Sequence, residues 1–434
     1  MPELSITTAI QFVSLAILAL SFAYILLLAG NSLRVRQIFN LREVAERNLL
    51  VAKANDIVER QKIDKAKEEA GWNGIRKFRV SKKIIEAKDQ CSFYFTPHDG
   101  RKLPPFEPGQ FLTFSLDIPG QKKSTIRCYS LSDSPKDDYY RCTIKRVPPP
   151  RDSEFPPGLS SNYFHDHIEE GKIIDVRAPG GHFYLDSTRQ TPVVLIGGGI
   201  GLTPVLSMVN YIIDTGSKRE TWFFYGLKDG TEHAMKEHLE KIDAEHENIK
   251  ICVVYSRPRD EIDVEGRDYK YKGRVGADLF KEVLPSNNYD YYFCGPPPMM
   301  NSLFEGLREW DVPEDKIHYE AFGPATVSKK KDADKAADKA PAAATDSAAA
   351  DIQITFAQSG KSIAWDPEAG TLLDFAEDND IAMDSGCRAG NCGTCSTALT
   401  SGEVEYLSDP GAPPDAGSCL TCVSVPKNSI TLDA

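Results

Sequence analysis

Near the C-terminus, cysteines stand at a spacing that can hold iron. Cys387, Cys392 and Cys395 fall in the run Cys387-Arg-Ala-Gly-Asn-Cys392-Gly-Thr-Cys395, and Cys422 follows in Cys419-Leu-Thr-Cys422-Val. Four thiolates satisfy two irons, and a C-x4-C-x2-C run with a distant fourth Cys is one arrangement that does so. The small residues between the thiols let backbone N–H groups point at bridging sulfides. Such a centre carries one electron, so the rest of the chain is expected to supply or receive electrons. The fourth ligand has two candidates, Cys419 and Cys422.

Further motifs suit phosphate and flat heterocycles. Arg127-Cys-Tyr-Ser130 offers a guanidinium for a bidentate phosphate grip, an aromatic ring two residues on, and a hydroxyl. Gly158-Leu-Ser-Ser161 opens the helical stretch Tyr163-Phe164-His165, where free N–H groups and the helix dipole make an anion seat. Gly197-Gly-Gly199-Ile-Gly201-Leu-Thr-Pro204 follows the strand-like Val193-Val-Leu-Ile196. A strand, a Gly-rich turn and a helix start cradle a pyrophosphate. Pro204 stands where the third Gly of G-x-G-x-x-G would be, and Tyr225-Gly226 ends the next strand in place of an acid. A standard Rossmann site is therefore not expected, but a related α/β nicotinamide site is. Cys294-Gly-Pro-Pro-Pro-Met299 ends a later strand, at the sheet edge where ligands of open α/β sheets bind.

The elements that must position these groups are legible in outline. At 434 residues the chain has room for about three domains. A net charge of −12 argues against a nucleic-acid partner, which needs a basic face. Of the ten cysteines, four belong to the cluster motif and the other six are scattered rather than framed as disulfides, and cluster thiolates fit a reducing compartment. No charged residue lies between Leu4 and Leu33, and about 20 apolar residues span a bilayer. We read residues 4–33 as a transmembrane helix, with a signal peptide as the lesser reading because the only early charge is Glu3 and the apolar run is too long. Arg34, Arg36 and Arg42 follow it, which puts the remainder on the cytoplasmic side of the cytoplasmic membrane. Residues 34–73 read as an amphipathic stalk helix, with a coiled-coil dimer as the lesser reading because Asn48, Asn55 and Lys62 interrupt the seam. Residues 74–188 carry short β-branched and aromatic runs, such as 111–116 and 140–145, and read as an antiparallel β-barrel. Residues 189–325 alternate strand and helix, as a parallel α/β sheet does. Residues 326–350 are Lys-, Asp- and Ala-rich and read as a flexible linker. Residues 351–434 form a small β-rich unit. His165-x-His167 has the spacing of a metal pair, but the nearby helix start favours a solvated helix face, and His233 and His238 are read as similarly bland.

Taken together, Arg127–Ser130, Gly158–Ser161, Gly199–Pro204 and Cys294–Met299 resemble the ferredoxin–NADP⁺ reductase superfamily, in family order. Cys387–Cys395 with Cys422 resembles a plant-type ferredoxin. The combination is similar to single-chain flavin/[2Fe–2S] reductases that serve oxygenases, with the reductase module first. The resemblance implies a multidomain protein: a flavin-binding β-barrel, an α/β nicotinamide domain and a β-grasp ferredoxin domain behind the membrane anchor. It implies that Arg127 binds the flavin diphosphate, that Tyr129 and Ser130 contact the isoalloxazine, and that Gly158, Leu159, Ser160 and Ser161 hold the pyrophosphate. Gly199, Gly201, Thr203 and Pro204 would hold the nicotinamide dinucleotide, and Cys294 and Gly295 would lie near hydride transfer. Ser130 and Cys294 are thus the expected catalytic pair. Cofactor contacts are also expected from Cys128, Thr143, Lys145, Gly226, Ser256, Arg257, Pro296 and the aromatic Phe322 of Glu320-Ala-Phe322. Of the two fourth-ligand candidates, the resemblance favours Cys422.

The order reductase-then-ferredoxin matches phthalate dioxygenase reductase, which uses FMN. The Gly158–Ser161 seat and a likeness to flavohaemoglobin reductases favour FAD, with FMN the alternative. Arg257 could pair with the 2′-phosphate of NADPH, but the Arg-Pro step also occurs in NADH users, and NADH is preferred. The implied function is an NAD(P)H-dependent flavin/iron–sulfur oxidoreductase. It would pass electrons to an oxygenase, desaturase or hydroxylase at or beside the membrane. The alternative is the electron-input subunit of an NADH:quinone reductase, although one membrane helix leaves little room for a quinone pocket.

Overall fold

The computed structural model describes residues 6–72, 74–121, 124–149, 156–322, 352–386, 388, 390, 393–407, 414 and 416–434. The linker expected at 326–350, with Cys387 and Cys392, lies outside the described residues. The chain divides into two units, residues 1–65 and 66–434.

Helix α1 runs Ile6–Ala70 without a break. The helices expected at 4–33 and 34–73 run on as one element. The reason is local: no Pro interrupts these 65 residues, and the single Gly30 meets no neighbour within 4 Å. At 1.5 Å per residue it is about 97 Å long. The part from Ser14 to Val51 is long and apolar enough, by length and composition, to cross a membrane, and none of its most apolar stretch is buried.

The flavin-type barrel comprises β1 (Arg76–Ala87), β2 (Gln90–Pro97), β3 (Phe111–Leu116), β4 (Thr125–Ser130), β5 (Tyr140–Lys145), α2 (Leu159–His167) and β6 (Ile173–Gly180). The strand order is β4-β3-β6-β1-β2-β5, antiparallel throughout. The edge strands approach one another at the Leu131–Cys142 bridge, with Ser132 N donating to Arg141 O at 2.8 Å. That contact satisfies backbone groups the sheet would otherwise leave open. Helix α2 drives Phe164 into the core, edge-on to Phe93 and Phe114 at 5.3 Å each. Burying one such ring contributes roughly 1.5–3 kcal/mol, so the helix that carries Ser160 and Ser161 is anchored to the barrel by its own middle.

The second layer is β7 (Val193–Gly198), α3 (Leu202–Asp214), β8 (Thr221–Leu227), α4 (Lys236–Glu245), β9 (Ile249–Tyr255), β10 (Tyr271–Lys272), α5 (Ala277–Val283), β11 (Asp290–Cys294), α6 (Pro297–Glu309) and β12 (Ile317–Glu320). All pairs are parallel, in the order β10-β9-β8-β7-β11-β12. Every residue of β7 is buried, as a central parallel strand covered on both faces requires. The order reverses between β7 and β11, the switch point beside which ligands of such sheets bind. There the two chains touch: a Cβ built on Gly201 would collide with the carbonyl of Cys294 and lie 2.7 Å from Gly295 N. Backbone cannot give way as a side-chain tip can.

The C-terminal unit contains β13 (Gln353–Phe356), β14 (Lys361–Ala364), α7 (Leu372–Asp378), β15 (Ser396–Ser401), β16 (Val404–Tyr406), β17 (Ser418–Leu420), β18 (Ser424–Pro426) and β19 (Ile430–Leu432). The five-stranded sheet is mixed, with β13 parallel to β19. Thr371 and Asp374 close a reciprocal capping box on α7. Leu372, Phe375 and Ala376 of α7 then pack on Ile354, Phe356, Ile430 and Leu432.

Gly201→Ala is expected to lower stability by about 1–3 kcal/mol, read as a fall in the urea midpoint, because the new methyl meets backbone. An unchanged midpoint would show that β7 and β11 can separate.

Candidate active site and metal centre

The C-terminal ends of the parallel strands open into a cavity of about 520 Å³. Its floor is Gly198–Gly201 after β7, with walls from Gly226–Lys228 after β8, Ser256 after β9 and Gly295–Met299 after β11. Gly199 has φ +54°, a conformation glycine adopts cheaply. A side chain at Gly198 would meet Met299 Sδ at 2.5 Å. The small residues thus keep a cradle clear above the sheet edge, and it fits the diphosphate and ring of a dinucleotide.

A second cavity of about 410 Å³ lies against the barrel. It is lined by Arg127, Cys128, Tyr129 and Ser130 of β4, Thr143 and Lys145 of β5, and Gly158–Ser161 at the start of α2. The Ser160 hydroxyl is buried there with no hydrogen-bond partner among the described residues. Arg127 is half-buried, donates to its neighbour's carbonyl, Ile126 O, at 2.7 Å, and makes no ion pair among the described residues. Burial and, next, the charge of Arg388 push its guanidinium below its ordinary pKa. An unpaired cation, an orphaned hydroxyl and a helix start whose first N–H groups lack intrahelical acceptors together fit a bound diphosphate. Thr143 is already satisfied by Ser92 and Ser132, at 2.8 and 2.9 Å. Burial raises the Tyr129 phenol, so it stays neutral, and its ring packs edge-on to Phe164 at 5.2 Å.

The two cavities share Lys145, Ile200 and Phe322. Lys145 Nζ lies 3.3 Å from Glu232 Oε1, an ion pair from the barrel to the α/β layer. Gly386 and Arg388 of the C-terminal unit close the flavin-side cavity. In that unit Cys395 Sγ lies 3.0 Å from Cys422 Sγ, and both are buried with Leu373, Leu420 and Val423. Cys419 belongs to a different cluster, with Ile354 and Phe356, and burial pushes its thiol up to about 11.

Several expected site residues occupy other positions than their motif suggested. Cys294 is fully buried and forms no part of either cavity lining; burial, reinforced by Glu320, holds its thiol well above the usual range, so it is protonated. Thr203 lines the flavin-side cavity, and Pro204 is buried in the first turn of α3. Ser256 reaches the nucleotide cavity, whose lining cations are Lys145, Lys228 and Arg274, without Arg257. His165 is half-buried rather than on a solvated face: its Nε2 meets Ile144 O at 2.9 Å. His233 is buried, with Nδ1 2.7 Å from the Tyr255 hydroxyl, and burial drops its pKa to about 4. The sequence reading missed Arg388, whose only signal was its place inside the cysteine motif. It also missed Ile200, between two glycines that drew the attention.

Comparison with known proteins agrees with this geometry. Family models match an oxidoreductase FAD-binding domain at residues 77–184, an oxidoreductase NAD-binding domain at 195–304 and a 2Fe–2S iron–sulfur cluster binding domain at 354–427. A flavohemoprotein of Halalkalibacterium halodurans is 41% identical over 59% of this chain. The chain spans 61% of that protein's length. The flavohem-like FAD/NAD binding domain of nitric oxide dioxygenase from Vibrio cholerae is 29% identical, with TM-score 0.52; the match covers 58% of this chain and 100% of the domain. Phthalate dioxygenase reductase, a modular structure for electron transfer from pyridine nucleotides to [2Fe–2S], is 25% identical, with TM-score 0.52. That match covers 83% of this chain and 98% of the reductase. FAD, NADH and a [2Fe–2S] cluster are therefore the cofactors of this electron-transfer oxidoreductase. The chain thus carries an FAD-binding, an NAD-binding and a 2Fe–2S cluster binding domain, in that order, in one polypeptide.

Proposed function

We propose that the chain is a membrane-anchored reductase that passes electrons from NADH, through FAD and the [2Fe–2S] cluster, to an oxygenase, desaturase or hydroxylase. The observation that carries this reading is a single continuous site. The nucleotide and flavin-side cavities share three side chains, and the second is closed by residues that flank a cluster cysteine. In this reading the working units are 74–188, 189–325 and 351–434. The oxygenase-type partner rests on the likeness to phthalate dioxygenase reductase. The anchor rests on the exposed apolar stretch of α1 and the arginines after it.

Bound FAD would supply the hydride-accepting, one-electron-releasing chemistry that links NADH to the cluster. The protein's part is positioning. Gly199 and Gly201 keep the sheet edge open to the dinucleotide, and Gly295 and Pro296 bound the ring end. Cys294 lies buried behind that wall, with its thiol held protonated by burial. Arg127, Ser160 and the start of α2 hold the flavin diphosphate, while Tyr129 and Ser130 face the ring system. Lys145, held by Glu232, stands where the two ligands meet. Cys387, Cys392, Cys395 and Cys422 ligate the cluster.

Anaerobic stopped-flow mixing with NADH is expected to show flavin absorbance falling before the cluster bleaches. Bleaching first would overturn the order. Cys422→Ser is expected to abolish the cluster's visible absorbance, and Cys419→Ser to retain it. Loss with Cys419→Ser alone would reassign the fourth ligand.

A further inference from the structure

We infer that Arg388, carried by the cluster-bearing domain, is a second cationic contact for the flavin diphosphate, so that dinucleotide binding and seating of that domain are coupled. The inference rests on the reading that the barrel-side cavity holds FAD.

Two guanidinium groups from different domains bound this cavity, Arg127 on β4 and Arg388 beside the cluster cysteine. Arg388 is not placed there by chance of rotamer. Its backbone takes φ +54°, a left-handed conformation uncommon for a non-glycine residue. Its side chain is held by α7, through Asp374 Oδ1 at 3.3 Å and the Glu377 carboxylate. Its Nε is buried without a partner among the described residues. Arg127 makes no ion pair among the described residues; burial, then the charge of Arg388, disfavours its protonated form, and Glu377 favours it. Asp374 and Glu377 offset part of the Arg388 charge. A diphosphate between the two guanidinium groups adds a charge-assisted contact to each. By linkage, whatever FAD gains from Arg388, the docked domain gains from FAD. The arrangement distinguishes flavins by phosphate content: riboflavin brings no anion, FMN one phosphate, FAD a diphosphate.

The test is fluorescence titration of the flavin-depleted, cluster-loaded full chain with FAD and with riboflavin. Arg388→Gln is expected to weaken FAD binding by about 10- to 100-fold, with riboflavin affinity unchanged. Arg388→Lys, which keeps the charge, is expected to recover most of the loss. Equal weakening of both flavins, or no change in FAD affinity, would overturn the inference. Failure of the wild-type chain to bind any flavin would instead overturn the assignment of the cavity. Should Arg388→Gln lose its cluster, hydrogen exchange on the wild-type chain decides: FAD should slow amides of 372–378 more than riboflavin does, and equal protection would contradict the coupling.

Discussion

The fold turns on a backbone contact. Strands β7 and β11 end level with one another, and Gly201 sits against the carbonyl of Cys294 with no space for a methyl group. Because the contact is between main chains, it fixes the height of two loops at once. The glycine turn after β7 and the Gly295–Met299 turn after β11 become two walls of one cavity. A looser contact would widen the cleft and tilt the dinucleotide. Small residues here are therefore a geometric requirement of the site as much as of the sheet.

Charge is managed differently in each part of the site. The Cys294 thiol is buried outside both cavity linings and stays protonated. Lys145 is neutralised by Glu232 across the domain boundary. Arg127 is left without such a partner among the described residues. A half-buried cation without an ion pair costs free energy unless an anion completes it, and in the proposed function the diphosphate of FAD is that anion. Stability and cofactor binding are thus linked at this position, and ligand occupancy should add to the stability of the reductase module.

Local chemistry was legible in the sequence; meeting of distant segments was not. The runs at 111–116 and 140–145 coincide with β3 and β5, because alternation and flanking Gly and Pro are local signals. The glycine turn after Val193–Ile196 was readable for the same reason. Its neighbours were not: Thr203 faces the flavin side, and Arg274, not Arg257, stands on the nucleotide wall. Those outcomes depend on how α3 and the loop after β10 pack, which no short motif encodes. His165 was misjudged because its partner, the carbonyl of Ile144, lies on another strand. The helices expected at 4–33 and 34–73 run on as one continuous α1, since a change from apolar to charged composition does not itself break a helix.

The central claim is that electrons from NADH reach the cluster only by way of FAD in the shared site. Freeze-quench electron paramagnetic resonance on the full chain tests it directly. FAD-loaded protein mixed anaerobically with NADH should develop the signal of a reduced [2Fe–2S] cluster. The same chain stripped of FAD should develop none until FAD is restored. A reduced-cluster signal of equal size and rate in the stripped protein would contradict the account.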